Sequence, residues 1–298
     1  MKLSTCINSW LKSAKIRCKK TTYSNYQYVV NAHILPKFKN VLVKNINNDL
    51  INDFTNNLLE SGLKEKTVKD ILIILSQIFS YSNIDIKISM PKVKRKSIQI
   101  LSKEEQLLLE TELFKNLNFK TLGIFVCLYT GIRIGELCAL KWEDIDLINY
   151  NINIKSTITR IKNDDNKTLN KTVILIDSPK SNSSIRVIPI PGFLVKYLKR
   201  YSKGIDSSAF FLTGTVKYIE PRNYFNFYKR FMRNIGIGQY NFHALRHTFA
   251  TRCVEAGFDA KLLSEILGHS NVSITLERYV HPTYDSKVIM MNKLKPLY

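Results

Sequence analysis

Six polar side chains that could act together on a phosphate ester lie between residues 133 and 279. They are, in order, Arg133, Lys180, His243, Arg246, His269 and Tyr279. Two guanidinium groups can hold two non-bridging phosphate oxygens in a fork. Histidines can donate further hydrogen bonds, a lysine can protonate a leaving oxygen, and a tyrosine hydroxyl can attack. The combination indicates phosphoryl transfer carried out by protein side chains.

Taken singly, each of these residues has a simpler interpretation. Arg133 stands between two glycines in an apolar stretch, and Glu136, three residues on, could pair with it as a structural ion pair. Lys180 is in a turn that leads into a strand, where most lysines are only solvated. Tyr279 is one of 15 tyrosines and by itself carries little information. The information lies in the set.

Two histidines in this set of segments could also belong to a metal site. His243, Arg246 and His247 share one face of a predicted helix, and histidines four residues apart could bind zinc. However, Ala244 stands where the zinc-protease motif has glutamate, and no third ligand is evident. The acidic run from Glu143 to Asp146 follows a helix and is typical of a solvated turn. We therefore expect no metal and no other cofactor, and we interpret His247 as structural.

The charge balance favours a polyanionic partner. The chain has 298 residues, with 45 lysines and arginines against 24 acidic residues, a net charge of +21. Residues 1–100 hold 17 of these basic residues and 6 acidic ones, and residues 101–298 hold the other 28 and 18. The excess of positive charge is therefore present in both segments. Nucleic acid is the simplest partner for such a chain, and a solvated basic surface without a partner is the alternative. A hydrophobic content of 45% argues against disorder.

Membrane and secreted classes are excluded by the pattern. No run approaches the roughly 18 consecutive apolar residues of a membrane span. Residues 1–15 have helical apolar spacing and lack the small-residue cleavage site of a signal peptide. The five cysteines are far apart and form no C-x-x-C pair, which is typical of reduced thiols in the cytoplasm. We expect a cytoplasmic protein with two domains.

Residues 1–90 are predicted to form a bundle of four helices. Apolar residues recur there at three- and four-residue spacing, with short connections between the segments. We expect the second helix to be capped by Thr22 or Ser24 and to end before Pro36. The third is expected to be capped by Asn47 or Asn48.

A basic linker over residues 91–101 follows the bundle. Its charged residues are Lys92, Lys94, Arg95 and Lys96, which either contact DNA phosphates or form a solvated loop. Ser102 and Glu105 have capping-box spacing and predict the first helix of a second domain, residues 102–298.

This second domain is predicted to be helical with one strand-rich patch. A long apolar segment over residues 122–140 breaks at Gly131, and residues 151–190 alternate in a way that predicts a small antiparallel sheet of about three strands. Helices return after residue 190. Gly268 is expected to end one of them and leave His269 exposed, and Ser270 or Asn271 to cap the next. The fold class is mainly α with a small antiparallel β-sheet (α+β).

Three blocks of the sequence together resemble the tyrosine recombinases, also called phage integrases. They are residues 130–146 (TGIRIGELCALKWEDID), 179–190 (PKSNSSIRVIPI) and 243–281, which starts HALRHTFATRC and contains ILGHS and ERYVH. In order and spacing they look like the family's three catalytic blocks. The style is that of integrases of phages and conjugative transposons of low-GC Gram-positive bacteria.

The resemblance implies how the phosphate is held. Arg133 and Arg246 would clamp the scissile phosphate, and His243 and His269 would hydrogen-bond it or assist proton transfer. Glu136 falls where the family often has an acidic residue that supports the first arginine.

It also implies the chemistry. Tyr279 would be the nucleophile and form a 3′-phosphotyrosyl link to DNA, and Lys180 would be the general acid for the 5′-oxygen. ATP would not take part, because the bond energy is retained in the covalent intermediate, and protein side chains rather than a metal ion would supply the positive charge. The implied architecture is a helical core-type DNA-binding domain and an integrase-type catalytic domain that form a C-shaped clamp on DNA.

The implied function is site-specific recombination that integrates or excises a mobile element. A recombinase that resolves chromosome or plasmid dimers would share this chemistry, as would a type IB topoisomerase. A catalytically silent DNA-binding regulator is the alternative from another class.

The implied partners are double-stranded DNA with attachment or core sites, further copies of the chain as a dimer or tetramer on DNA, and accessory excision or DNA-bending proteins. The tail around Val288 and Met291 would join the copies, or else dock on its own domain. The expected location is the cytoplasm, in association with the nucleoid.

Overall fold

In a computed structural model of the chain, the described residues are 1–93, 97–163, 172–179, 182–280, 288 and 291–292. The chain divides into two compact units. One comprises Met1–Lys96 with Ile161–Val173, and the other comprises Ser97–Arg160 with Ile174–Tyr298. The division falls within the predicted linker, after Lys96.

The first unit is helical. Its helices are α1 (Leu3–Arg17), α2 (Lys20–Val29), α3 (Leu35–Phe38), α4 (Asn48–Glu60) and α5 (Glu65–Tyr81). The apolar stripes of these helices face one another and bury residues such as Trp10, Phe38 and Phe54. Asn47 caps α4, with its side chain accepting a hydrogen bond from the backbone N–H of Leu50 at 2.9 Å.

The second predicted helix differs from the structure at both ends. It begins at Lys20 rather than after Thr22 or Ser24, and no side chain caps it. It also does not end before Pro36, because a π-helical segment, Val30–Ile34, leads from α2 into α3. Pro36 lies in the first turn of α3, directly after the π-helical segment.

The second unit is mostly helical. Its helices are α6 (Lys103–Lys115), α7 (Phe119–Thr130), α8 (Ile134–Ala139), α9 (Gly192–Ser202), α10 (Pro221–Asn234), α11 (His243–Glu255), α12 (Ala260–Leu267) and α13 (Val272–Tyr279). The predicted capping box at the start of α6 is present, since Ser102 and Glu105 bond each other's backbone N–H groups at 3.1 and 2.8 Å. The mainly helical fold class is confirmed.

The strands of the chain form two small sheets rather than the single sheet predicted. They are β1 (Ile145–Asp146), β2 (Asn151–Ile154), β3 (Thr157–Lys162), β4 (Thr172–Asp177) and β5 (Arg186–Pro189). The three-stranded sheet has the order β1-β2-β5 and is antiparallel, with Ile152 opposite Ile145 and Ile188. Strands β3 and β4 form a separate two-stranded sheet. The two-residue β1 is too short to give an alternating pattern in the sequence.

The last residues of the predicted linker pack within the second unit. Leu101 is fully buried, and its backbone N–H donates to Oγ1 of Thr248 on α11 at 2.9 Å. Arg252 Nη2, also on α11, donates to the carbonyl of Leu101 at 3.0 Å. Ile98 packs against a small apolar cluster formed by α11, α12 and α13.

Two further expectations concern the whole chain. Among the described residues, no helix has the length and apolar character needed to cross a membrane. The five cysteines are free thiols, and all except Cys18 are buried.

Candidate active site

The end of α12 collects three guanidinium groups. Each donates to one of three consecutive backbone carbonyls, those of residues 266 to 268. The bonds are Arg186 Nε to Ile266 O (2.6 Å), Arg246 Nη2 to Leu267 O (2.6 Å) and Arg133 Nη2 to Gly268 O (3.0 Å). The last carbonyls of a helix have no partner within it and carry the negative end of its dipole. The helix terminus therefore gathers side chains that lie far apart in the sequence.

One carboxylate joins two of these arginines. Glu136 accepts from Arg133 Nη1 at 2.7 Å and from the backbone N–H of Arg133 at 3.0 Å. Arg186 donates to both of its oxygens, from Nη1 at 3.1 Å and from Nη2 at 3.0 Å. We call Arg133, Glu136, Arg186 and Arg246 the arginine cluster. The ion pair foreseen between Arg133 and Glu136 thus exists, but as part of a larger network.

The arginine cluster carries three positive charges and one negative charge. Burial alone would raise the pKa of the Glu136 carboxyl, but Arg186 and Arg133 outweigh it, so the pKa lies below its ordinary value. Glu136 is therefore ionised at neutral pH. The side chain of Arg133 is 32% exposed. An anion that reaches Arg133 would balance the excess positive charge.

Arg246 is buried, with 2% of its surface exposed. Its Nη1 donates to the carbonyl of Gly131 at 2.7 Å, and its hydrogen bonds within the described residues go to carbonyls rather than to a carboxylate. Burial, together with the charges of Arg133 and Arg186, lowers its pKa to about 9. The group is still charged at neutral pH, in a place where an anionic partner would stabilise it.

Gly268 permits this arrangement. It ends α12 in the left-handed conformation, with φ of +64°, as the sequence predicted. A Cβ at this position would lie 2.9 Å from Cδ of Arg186 and 2.9 Å from the carbonyl oxygen of Ser183. Glycine is thus required for the turn and for the close approach of Arg186.

Tyr279 is the last residue of α13 and lies in a small apolar cluster with Ala250, Leu263 and Leu267. It is 7% exposed. Its hydroxyl oxygen lies 2.5 Å from Nδ1 of His247. Burial raises the pKa of Tyr279, whereas Arg246 and Arg278 oppose that rise. At neutral pH the group is therefore a phenol close to positive charges.

Two histidines lie one turn apart on α11. The ring centroids of His243 and His247 are 4.9 Å apart in an edge-to-face arrangement. Desolvation and neighbouring groups lower both pKa values to about 4, although His243 is exposed and His247 is half-buried. Both rings are neutral at pH 7. We call His243, His247 and Tyr279 the tyrosine cluster.

His269 follows the Gly268 turn directly. It is half-buried rather than exposed as expected, because its Nδ1 lies 2.8 Å from Oγ1 of the buried Thr275. Burial, with Arg246 and Arg133 as the next causes, lowers its pKa to about 3. Asn271 caps α13 through a hydrogen bond from the backbone N–H of Ser273 at 2.8 Å.

Some of the predicted site residues fall outside the described residues. These are Lys180, Lys94, Arg95 and Lys96. Lys92, at the start of the basic linker, is exposed. Within the described part of the chain, no three histidine, cysteine, aspartate or glutamate side chains are arranged to hold a metal ion.

Comparison with known proteins assigns this chain to a family. The profile of the phage integrase family matches residues 99–286, and the profile of the phage integrase N-terminal SAM-like domain matches residues 2–59. The chain belongs to the phage integrase family. The arginine cluster and the tyrosine cluster both lie within the first of these matches.

Individual relatives span nearly the whole chain. A XerC-like tyrosine recombinase of Caldanaerobacter subterraneus is 28% identical over 99% of this chain and 83% of its own length. The ICEBs1 integrase of Bacillus subtilis is 28% identical over 98% of this chain and 82% of its own length. The fold is similar to that of the Tn1549 transposon integrase in complex with circular intermediate DNA, with a TM-score of 0.79 and 23% identity over 99% of this chain and 100% of that one.

Two residues of this integrase site were not assigned a site role from the sequence. The sequence motifs give Arg186 no role, although it alternates with the buried Ile188 and Ile190 along β5 and just beyond its end. An arginine at an inward position needs a charged partner, and that signal could have identified it. His247 was interpreted as structural, yet its ring nitrogen touches the hydroxyl oxygen of Tyr279. The four-residue spacing from His243 does predict that His247 lies on the same face of α11 as His243.

Proposed function

We propose that this integrase-family protein is a site-specific DNA recombinase that cuts and rejoins DNA through a 3′-phosphotyrosyl intermediate. The observation that carries the proposal is the juxtaposition of the two clusters. Arg246 and His247 are adjacent on α11, so the excess positive charge of the arginine cluster lies beside a tyrosine hydroxyl. A DNA phosphate would neutralise the charge and place phosphorus near the nucleophile.

The arginine cluster would bind the scissile phosphate. Arg133 and Arg246 donate to the non-bridging oxygens, while Glu136 and the carbonyls of α12 fix where their guanidinium groups lie. His243 and His269 add hydrogen bonds to the phosphate, since both rings are neutral and each can carry one N–H. Donors that are already in place stabilise the charge on the pentacoordinate phosphorus without reorganisation.

The reaction exchanges one phosphate ester for another. The hydroxyl oxygen of Tyr279 attacks phosphorus, the bond from phosphorus to the 5′-oxygen breaks, and Lys180 gives that oxygen a proton. A 5′-hydroxyl of a partner duplex then attacks the phosphotyrosine and restores the free tyrosine. The ester bond energy is conserved, so the proposed reaction needs no ATP. The guanidinium groups of Arg133 and Arg246 would supply the positive charge at the phosphate, so the proposal uses no metal ion.

The partner that fits is duplex DNA carrying a core or attachment site. Residues 1–90 would contact the duplex as the core-type domain, with the basic linker residues Lys92, Lys94, Arg95 and Lys96 against its phosphates. Exchange between two duplexes cuts four strands and uses one tyrosine for each, so four copies would assemble. The tail beyond Tyr279 would join them, accessory excision or bending proteins would assist, and the complex would be associated with the nucleoid.

Integration and excision of a mobile element is the role we favour. The ICEBs1 integrase, by its name, acts for a mobile element, and the Tn1549 integrase structure contains circular intermediate DNA. Resolution of chromosome or plasmid dimers is the second candidate, since another relative is named XerC-like. Recombination of duplexes from the ends of an element, but not of dimer-resolution sites, would distinguish the two.

A covalent trap tests the chemistry. Wild-type and Tyr279→Phe protein would be incubated with nicked duplexes from both ends of the element that encodes the protein. We expect an SDS-resistant protein–DNA adduct with the wild type only. If both proteins bind the duplexes and neither forms an adduct, the protein is a DNA-binding regulator and the proposal is wrong.

A further inference from the structure

The proposed chemistry leaves one proton without a destination. When the phenol of Tyr279 becomes an ester, its proton must leave the oxygen. The atom placed to receive it is Nδ1 of His247, 2.5 Å from that oxygen, with the two rings inclined at 49° and their centroids 5.7 Å apart. His243 is close to His247, but its described ring contact is with that histidine rather than with the tyrosine.

The local chemistry determines which partner donates. Tyr279 is a phenol at neutral pH because burial raises its pKa, and His247 is neutral because burial and the charges of Arg278 and Arg246 lower its pKa to about 4. The phenol therefore donates to Nδ1, and the histidine proton is on Nε2.

Several charged or titratable groups act on His247 from the helices packed around it. Arg278 and Tyr279 belong to α13, and Arg246 and His243 belong to its own helix, α11. Burial and, after it, the positive charges of the two arginines keep the imidazole unprotonated in the absence of DNA. A phosphate bound between the arginines would offset those charges, and so would raise the affinity of His247 for a proton when the tyrosine attacks.

We propose that His247 is the general base for the nucleophile, a role that rests on the proposed function. As the bond from the Tyr279 oxygen to phosphorus forms, the phenolic proton moves to Nδ1. The 5′-oxygen leaves with a proton from the general acid, so charge balances on both sides of the phosphorus. In the rejoining step the bond from phosphorus to tyrosine breaks, and His247 returns the proton to the phenolate.

The test separates the two sides of the phosphorus. His247→Ala and His247→Asn would be compared with wild type on nicked duplexes with either a normal 5′-oxygen or sulfur at that bridging position. Sulfur leaves without a general acid, so it should rescue Lys180→Ala but neither His247 variant. Asparagine places an oxygen near the position of Nδ1 but cannot accept the proton. We expect both His247 variants to form the adduct about 10²–10³-fold more slowly at pH 7 on either substrate, in the range typical of general bases.

The pH profile distinguishes a base from a structural contact. On the sulfur substrate the wild-type rate should change little above neutral pH. The His247 variants should gain about tenfold per pH unit, because phenolate must form before attack and its fraction grows tenfold per unit below the tyrosine pKa.

Three results would overturn the proposal: a normal adduct rate in His247→Ala, recovery of the wild-type rate in His247→Asn, or a His247 variant whose rate does not rise with pH. A loss of affinity for uncleaved duplex would show that the alanine variant is misfolded. In that case the adduct rate of the asparagine variant decides whether His247 is the base. An adduct formed by Tyr279→Phe would instead contradict the proposed function itself.

Discussion

The arginine cluster and the tyrosine cluster lie side by side but are held together in opposite ways. In the arginine cluster, charged groups share partners. Glu136 bonds two arginines, and each arginine also bonds a carbonyl at the end of α12. In the tyrosine cluster, neutral rings meet through one hydrogen bond, that of Tyr279 with His247, and through the edge-to-face contact of His247 with His243.

This difference separates stability from reactivity. Breaking a buried charged network leaves unpaired charges, which destabilises the fold as well as the site. Breaking one contact between neutral groups mainly affects the atom that reacts. We therefore expect changes in the arginine cluster to lower both the stability and the rate, and changes in the tyrosine cluster to lower chiefly the rate.

The largest expected effect is on the rate when an arginine that binds phosphate is lost. Arg133→Ala and Arg246→Ala should each slow adduct formation by about 10²–10³-fold or more, because a fixed donor to the developing charge is removed. Binding of uncleaved duplex should be largely retained. Arg252→Ala, on the same helix as Arg246 but outside the cluster, is the matched control and should stay within a few-fold of wild type. Near-normal cleavage by either cluster variant would contradict the clamp.

The next effect is on stability. Glu136→Gln leaves Arg186 buried without its carboxylate and should destabilise the protein by about 3–5 kcal/mol, measured by urea unfolding. Arg186→Met should cost less, because Glu136 then still pairs with Arg133. The stabilisation from Glu136 is present above the ordinary carboxyl pKa and is lost as the pH falls through its lowered value. Equal costs for both variants would show that the carboxylate is not the shared partner.

Two glycines test the turn that ends α12. Gly257 and Gly268 both have positive φ, +83° and +64°, but a Cβ at Gly257 would meet nothing within 4 Å. Gly257→Ala should cost about 1–2 kcal/mol for the left-handed backbone alone. Gly268→Ala should cost about 1–3 kcal/mol more, because its Cβ pushes against Arg186, and it should also slow cleavage. Thermal unfolding of both variants, together with an adduct assay, would check this. Equal losses of stability and of rate in the two variants would show that the close approach of Arg186 to position 268 has no role.

The smallest expected effect is the pH dependence of stability that arises from the neutral histidines of the tyrosine cluster. Lowered pKa values of about 4 for His243 and His247 mean that the unfolded chain binds protons near pH 6.5 while the folded protein does not. Stability should therefore fall as the pH drops from about 6.5 to 4. Melting temperatures of wild type and His247→Asn across this range would measure it. The variant should show a weaker dependence, and identical curves would argue against a neutral His247.

Local signals in the sequence predicted much of this structure. The capping box at Ser102, the Asn271 cap and the turns at Gly131 and Gly268 were all foreseen, because they depend on a few adjacent residues. The helix through Pro36 was not, since a π-helical segment depends on packing with other helices.

The candidate site was predictable as a set of residues but not as an arrangement. Order and spacing of the blocks indicated the family. The sequence did not reveal that three arginines would meet at one helix end, because backbone carbonyls have no residue-specific signal. The sequence also does not reveal the contacts of Arg186 with Glu136 and of His247 with Tyr279, because each joins residues that are distant in the sequence.

The use of backbone carbonyls to hold the arginines also bears on how such a protein can change over generations. The atoms that Arg186 and Arg246 contact at Ile266 and Leu267 are present whatever side chains those positions carry. Substitutions at these two positions are then limited only by packing in the apolar core, and they leave the carbonyls that hold the arginine cluster in place. What must be inherited is the point at which α12 stops, and a single codon, that of Gly268, specifies it.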